Sequence, residues 1–152
     1  MRYILGVTAL GFLLGLFIGG FIGTSADYVP DRVSSADHVT SDEIKLLGNN
    51  VFINLDGKEL RWSEFENTNS MVPLFDKNHN GLEFVPVFPE EIKVGDVISF
   101  MYNDEVIIHR VVEIGYDDEG IFYVTKGDNV LNNDPGERRF EDVLGVMFGV
   151  IF

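Results

Sequence analysis

Cysteine is missing from this 152-residue chain. That excludes disulfide bonds, a thiolate nucleophile and cysteine-held zinc, and says nothing about compartment. Basic residues are scarce: 11 Lys and Arg stand against 25 Asp and Glu, a net charge of −14. A chain this acidic repels phosphate backbones, which argues against nucleic acid as a partner. The acid excess is spread along the polar part and forms no tail. Only three histidines occur, well separated and without an HExxH pattern. A zinc hydrolase is therefore not expected, and neither a metal nor a cofactor is read from the sequence. No internal repeat is visible.

What is present begins with one long apolar run. "YILGVTALGFLLGLFIGGFIG", residues 3–23, carries no charge over 21 residues. As a helix that length crosses a hydrocarbon layer of ~30 Å. A cleaved secretory leader is the competing reading, with "TSA" before Asp27 as a tolerable cut site. Its apolar core is usually only ~7–15 residues, so the length favours a retained anchor. Arg2 before the span and "SADYVPD" after it put the N-terminus in the cytoplasm and the remainder outside. Gly11, Gly15, Gly19 and Gly23 fall on one helix ridge, where a partner helix can approach closely. Glycine is also simply common in membrane helices, and the spacing alone does not decide between the two. The expected organisation is a transmembrane anchor over 1–24, a polar linker over 25–40 and one domain over 41–152.

Beyond the linker the pattern is β. "TSDEIKLLGNN" holds at most a short helical turn capped by Thr40 or Ser41. "NVFINL" and "KELRWSEF", separated by Asp56-Gly57, read as a hairpin. "GDVISFMY" and "EVIIHRVVEI" are joined by Asn103-Asp104, "GIFYVTKG" follows another turn, and "DVLGVMFGVIF" closes the chain as a buried strand. Strands broken by turns every ten residues or so predict a mainly β domain: a small coiled antiparallel sheet or partly open barrel. About 110 residues suffice for a core of its own.

Three stretches carry candidate chemistry. In "NTNSMVPLF", Pro73 limits the backbone near Ser70, Met71 can anchor the turn, and Thr68 can bring a second hydroxyl. Alone, Ser70 is a turn serine like most. His109 lies inside the apolar strand "VIIHRVVEI", sharing a face with Ile107 and Val111 by alternation. A buried imidazole must find a hydrogen-bond partner, so a satisfied core histidine is the plain reading. Its ordinary pKa of ~6.5 also suits a general base. In "TKGDNVLNNDPG", Asp128 and Asp134 lie in a loop after a strand, ordinary turn chemistry that can also orient an imidazole.

Together these stretches resemble the signal peptidase I family of membrane-anchored serine endopeptidases, in its archaeal and endoplasmic-reticulum type. Four blocks carry the likeness in order: "TNSMVP", "VGDVISF", "IIHRVVEIG", and "VTKGDN" with the later Asp134. It covers roughly residues 60–152, plus the N-terminal anchor. The resemblance implies a nucleophile at Ser70 and a base at His109, where the bacterial branch has a lysine. It implies a histidine-orienting role for Asp134, a loop-supporting role for Asp128, and an oxyanion site from the Ser70 N–H and Thr68. Lys126 is the rival base for a Ser/Lys dyad. The implied partners are precursor proteins with signal peptides, cut at a membrane by a single-pass protein whose catalytic domain is extracytoplasmic.

Two departures stand out. Asn69 replaces the usual glycine, so the turn must tolerate a Cβ, and Asn costs least if φ is positive. The stretch "LFDKNHNGLEFVPVFPEEIK" is longer and more acidic than the family's, which bears on substrate preference. Within it, "DKNHNG" matches the first half of a calcium loop, but Val87 stands where the bidentate carboxylate belongs, so it reads as an Asx-rich turn. Phe84, Val85, Val87 and Phe88 are read as core-filling in preference to lipid-touching. Two other classes remain open: a catalytically silent peptide-binding module of the same fold, and a calcium-responsive surface domain.

Overall fold

The computed structural model describes residues 33–152, so the apolar run, its glycine ridge and the first part of the linker lie outside the described residues. Among those described, no helix is long and apolar enough to cross a membrane. The domain is mainly β. Strands β1 (Ile44–Leu47) and β2 (Asn50–Ile53) form a two-stranded sheet. Strands β3 (Leu60–Glu64), β4 (Asn80–Phe84), β5 (Val97–Tyr102), β6 (Glu105–Asp117), β7 (Gly120–Lys126) and β8 (Val143–Ile151) form the main sheet. Its order is β3-β4-β8-β5-β6-β7, every pair is antiparallel, and β3 and β7 remain as edges. The sheet is therefore not closed into a barrel.

Turn chemistry explains the best-formed hairpin. Asn103 and Asp104 both take positive φ, 50° and 66°, as a two-residue turn matched to strand twist requires. They register β5 on β6 from Tyr102↔Glu105 to Val97↔Arg110. The closing strand β8, rich in Val, Met and Phe, sits between β4 and β5. A central strand is covered on both flanks, consistent with Gly145, Val146 and Met147 being buried.

Three expectations change. The hairpin read across Asp56-Gly57 is not formed: β2 pairs with β1 through Gly48-Asn49, and β3 pairs with β4. Gly57 does take positive φ, 73°, and Lys58 N–H donates to Leu55 O, so the chain turns there without joining its flanks. "IKLL", read at most as a helical turn, is β1, preceded by a turn at 41–43. Of the four residues read as core-filling, Phe84 is buried, whereas Val87 and Phe88 are exposed.

The main core packs Ile98, Phe100, Val111, Tyr123 and Val146 with Phe84 and Ile92. A second cluster joins Met71, Phe75, Val97 and Met147. It ties the loop after β3 to the sheet, and this attachment positions the site. Part of the linker is also bound: Ala36 N–H and His38 Nε2 both reach the buried Asp96 carboxylate, at 2.9 Å each.

Candidate functional site

Ser70 stands on the loop between β3 and β4. Met71, 2% exposed in the second cluster, fixes that loop, and Leu74 N–H and Phe75 N–H close a turn on its carbonyl. Asn69 has φ 57°, the left-handed conformation that Asn tolerates better than other side chains bearing a Cβ. The loop after β7 clasps this turn from the far side. Asn129 N–H donates to Ser70 O at 2.8 Å, Asn129 Nδ2 donates to Asn69 O at 3.0 Å, and Asp128 N–H points at Met71 Sδ.

His109 and Arg110 are neighbours on β6, and alternation sends their side chains to opposite faces. His109 Nδ1 lies 2.7 Å from Asp134 Oδ2, which also accepts from Thr125 Oγ1 at 2.7 Å. Arg110 makes a two-pronged contact with Asp128, at 2.8 and 2.7 Å, and donates to Gly95 O. Burial alone would raise the Asp134 pKa. The bonds from His109 and Thr125 outweigh it and hold the carboxyl below its ordinary value. The ionised carboxylate only accepts, so Nδ1 carries the hydrogen and the neutral ring keeps its lone pair on Nε2.

Gly127 fixes how closely these parts approach. A Cβ built there would lie 2.8 Å from Ser70 O and 3.0 Å from His109 Nε2. The main chain of the serine turn and the imidazole tip thus converge on one point that only glycine leaves open. Ser70 Oγ itself pairs with Thr68 Oγ1 at 3.0 Å, and the Ser70 N–H makes a long contact of 3.4 Å with the same oxygen. Among the described residues Ser70 Oγ makes no hydrogen bond to His109.

Both residues line a groove of about 780 Å³, together with Thr68 and Met71. One wall is β3, which pairs only with β4. The other is Glu105–His109, the half of β6 that lies beyond the register with β7, which starts at Arg110. The groove therefore runs between two strand edges with unpaired main-chain groups, and one end holds the hydroxyl and the imidazole.

Lys126 does not line the groove and pairs across to Arg110. In "DKNHNG" the polar groups are partly used internally: Asp76 Oδ1 accepts from Asn69 N–H, and His79 Nδ1 accepts from Asp76 N–H. Among the described residues no group of three or more His, Asp or Glu could hold a metal ion. Sequence reasoning missed Thr125, Arg110, Gly127 and Asn129. Only Arg110, a charge in an apolar strand, carried a signal. It also passed over Glu83, whose signal was a carboxyl between Leu82 and Phe84.

These observations define a class: an open antiparallel β domain carrying a hydroxyl, an imidazole and a carboxylate at the end of a strand-edged groove. Compared with protein-family models, with curated proteins and with solved structures, the chain matches none.

Proposed function

We propose that this protein is a membrane-tethered serine endopeptidase that removes signal peptides from exported precursors. The observation that carries the reading is the convergence of Ser70 and the Asp134-bound His109 in a groove bounded by free strand edges. The order of the four sequence blocks and the uncharged 21-residue run support it independently. A precursor would bind as an added strand along Glu105–His109, its main chain completing the unpaired edge. Ser70 Oγ–H turns from Thr68 to His109 Nε2, which takes the proton as Oγ attacks the scissile carbonyl carbon. The oxyanion is held by the Ser70 N–H and the hydroxyl of Thr68, which the rotation releases. The imidazolium then gives its proton to the leaving amine, the C–N bond breaks and an acyl-enzyme remains. A water deprotonated by His109 hydrolyses the ester and restores Ser70. Asp134 holds the Nδ1–H throughout and stabilises the cation formed in each half. An anchor confining enzyme and precursor to one membrane face raises their effective concentration.

A second reading has its own observation. Ser70 Oγ is bonded to Thr68 and not to His109, as expected of a silent peptide-binding module. Reconstituted full-length protein and an exported precursor separate the two. The proteolytic reading expects processing that Ser70→Ala abolishes while peptide binding persists. Binding without processing by the unaltered chain would establish the module instead.

A further inference from the structure

The groove has a floor that the chemistry above does not use. Cross-strand register runs from Ile108 to Ser99 and from Ser99 to Gly145. On the far side of β8, Glu83 is registered with Met147 and with Arg61 on β3, and its side chain reaches over Gly145. Ser99 and Gly145 are the small members of this row, so a trough opens between the two edges. Glu83 lies in it, 1% exposed. Its Oε2 accepts from Ser99 Oγ at 2.8 Å, and a Cβ on Gly145 would come within 2.5 Å of that oxygen. Gly145 therefore makes the room the carboxyl occupies. The β4–β8 register shifts between Leu82 and Glu83, a bulge of the kind that re-aims a side chain beside functional sites.

The second oxygen is unsatisfied. Glu83 Oε1 is buried and has no hydrogen-bond partner. The nearest cation in the register, Arg61, donates instead to Leu144 O at 2.7 Å. A buried acceptor without a donor costs free energy that an arriving donor recovers. Both Glu83 and Ser99 line the groove. A strand added to the β6 edge points alternate side chains to the two faces of the sheet. One set faces the His109 side; the other enters the Ser99–Glu83 trough.

We propose that Glu83 is a specificity-determining residue that selects, at one position of the bound peptide, a side chain bearing a hydrogen-bond donor, hydroxyl or ammonium, over an apolar or acidic one. This rests on the peptide-binding groove of the proposed function and names the substrate feature it reads. An apolar side chain there would leave Oε1 without a partner, and a carboxylate would add repulsion.

The test uses the full-length chain in detergent micelles and extended octapeptides in which each position in turn is alanine, serine, lysine, leucine or aspartate. Binding is measured on the Ser70→Ala chain, so that turnover does not enter. At one position serine or lysine should bind about tenfold or more tighter than leucine, the difference one satisfied buried acceptor makes. Glu83→Leu should bring that ratio to unity or invert it. A ratio near one before the substitution, or one that survives it, overturns the proposal. If Glu83→Leu does not fold, Glu83→Gln replaces it. Loss of charge must then reduce the preference for lysine over serine, and an unchanged preference overturns the proposal equally. Cleavage by the unaltered chain is followed in parallel. If no peptide is cut, or Ser70→Ala cuts as well, the proteolytic reading falls while the binding ratio still decides the role of Glu83.

Discussion

The domain contains two histidine–aspartate pairs, and they have different surroundings. His38 Nε2 is 2.9 Å from Asp96 Oδ2, and His109 Nδ1 is 2.7 Å from Asp134 Oδ2. Asp96 is fully buried and also accepts from Ala36 N–H and Lys93 N–H, while the His38 ring packs edge-on against Phe84. Among the described residues, no hydroxyl is hydrogen-bonded to that pair. The second pair borders a groove, keeps Nε2 toward Gly127 and has Ser70 within the same space. A histidine–carboxylate bond is thus no signature of catalysis. A neighbouring hydroxyl and room for a substrate strand, about 780 Å³ against about 250 Å³ beside His38, separate the two.

The strongest way to break this contrast is Ser70→Ala. It should lower precursor cleavage at least ~10³-fold and leave the melting temperature within a degree or two, because among the described residues the hydroxyl hydrogen-bonds only to Thr68. Full cleavage by that variant ends the proteolytic reading. The next comparison sets the two carboxylates side by side. Asp134→Asn should cost about 10²–10⁴ in kcat by disturbing the tautomer of His109. Asp96→Ala should instead cost about 3 kcal/mol of stability, since several buried donors lose their acceptor. Its cleavage per folded molecule should stay near that of the parent. If chemical denaturation shows the reverse assignment, with Asp96 governing turnover, the division between the pairs is wrong.

Gly127→Ala sharpens the contrast inside the site. The added methyl would meet Ser70 O and His109 Nε2 together. Prying the two apart by a fraction of an ångström to an ångström should reduce kcat about ten- to hundredfold. Alanine tolerated with unchanged kcat would mean that the approach of the turn to the imidazole does not matter.

Local signals predicted some of this arrangement and could not reach the rest. Asn103-Asp104 states a hairpin in two residues, because both must accept positive φ. Asp56-Gly57 looked equivalent and was not: a turn dipeptide reverses the chain without choosing its partner. The partner of β3 is β4, beyond a 15-residue loop, and that choice depends on the Phe65–Phe75 stack and the Met71 cluster. Ser70, His109 and both aspartates were identifiable by residue type and order. Which aspartate meets His109 was implied by the resemblance alone, since His109 and Arg110 are adjacent and only their opposite directions sort the carboxylates. Gly127 and Thr125 matter through what they approach, which no local pattern records.

The smallest effect concerns acid. Asp134 is held below its ordinary pKa by His109 and Thr125 against the opposing effect of burial. A carboxyl depressed on folding adds stability that is fully present above its unfolded value, near 3.9, and is lost as pH falls through the lower folded value. The Asp134 contribution should therefore be flat from neutrality down to about pH 4 and fade only below that. Thr125→Val removes one of the two bonds, leaves burial in place and should move the folded value upward. The stabilisation then shrinks and its acid limb moves toward higher pH, which thermal melts between pH 2.5 and 7 would resolve. Asp96 provides the control: among the described residues no hydrogen bond joins its carboxylate to Thr125, so Asp96→Ala should leave the valine-induced displacement unchanged. Were the displacement to vanish in that background, the two pairs would be coupled through the sheet, and the separation between a structural histidine and a reactive one would have to be given up.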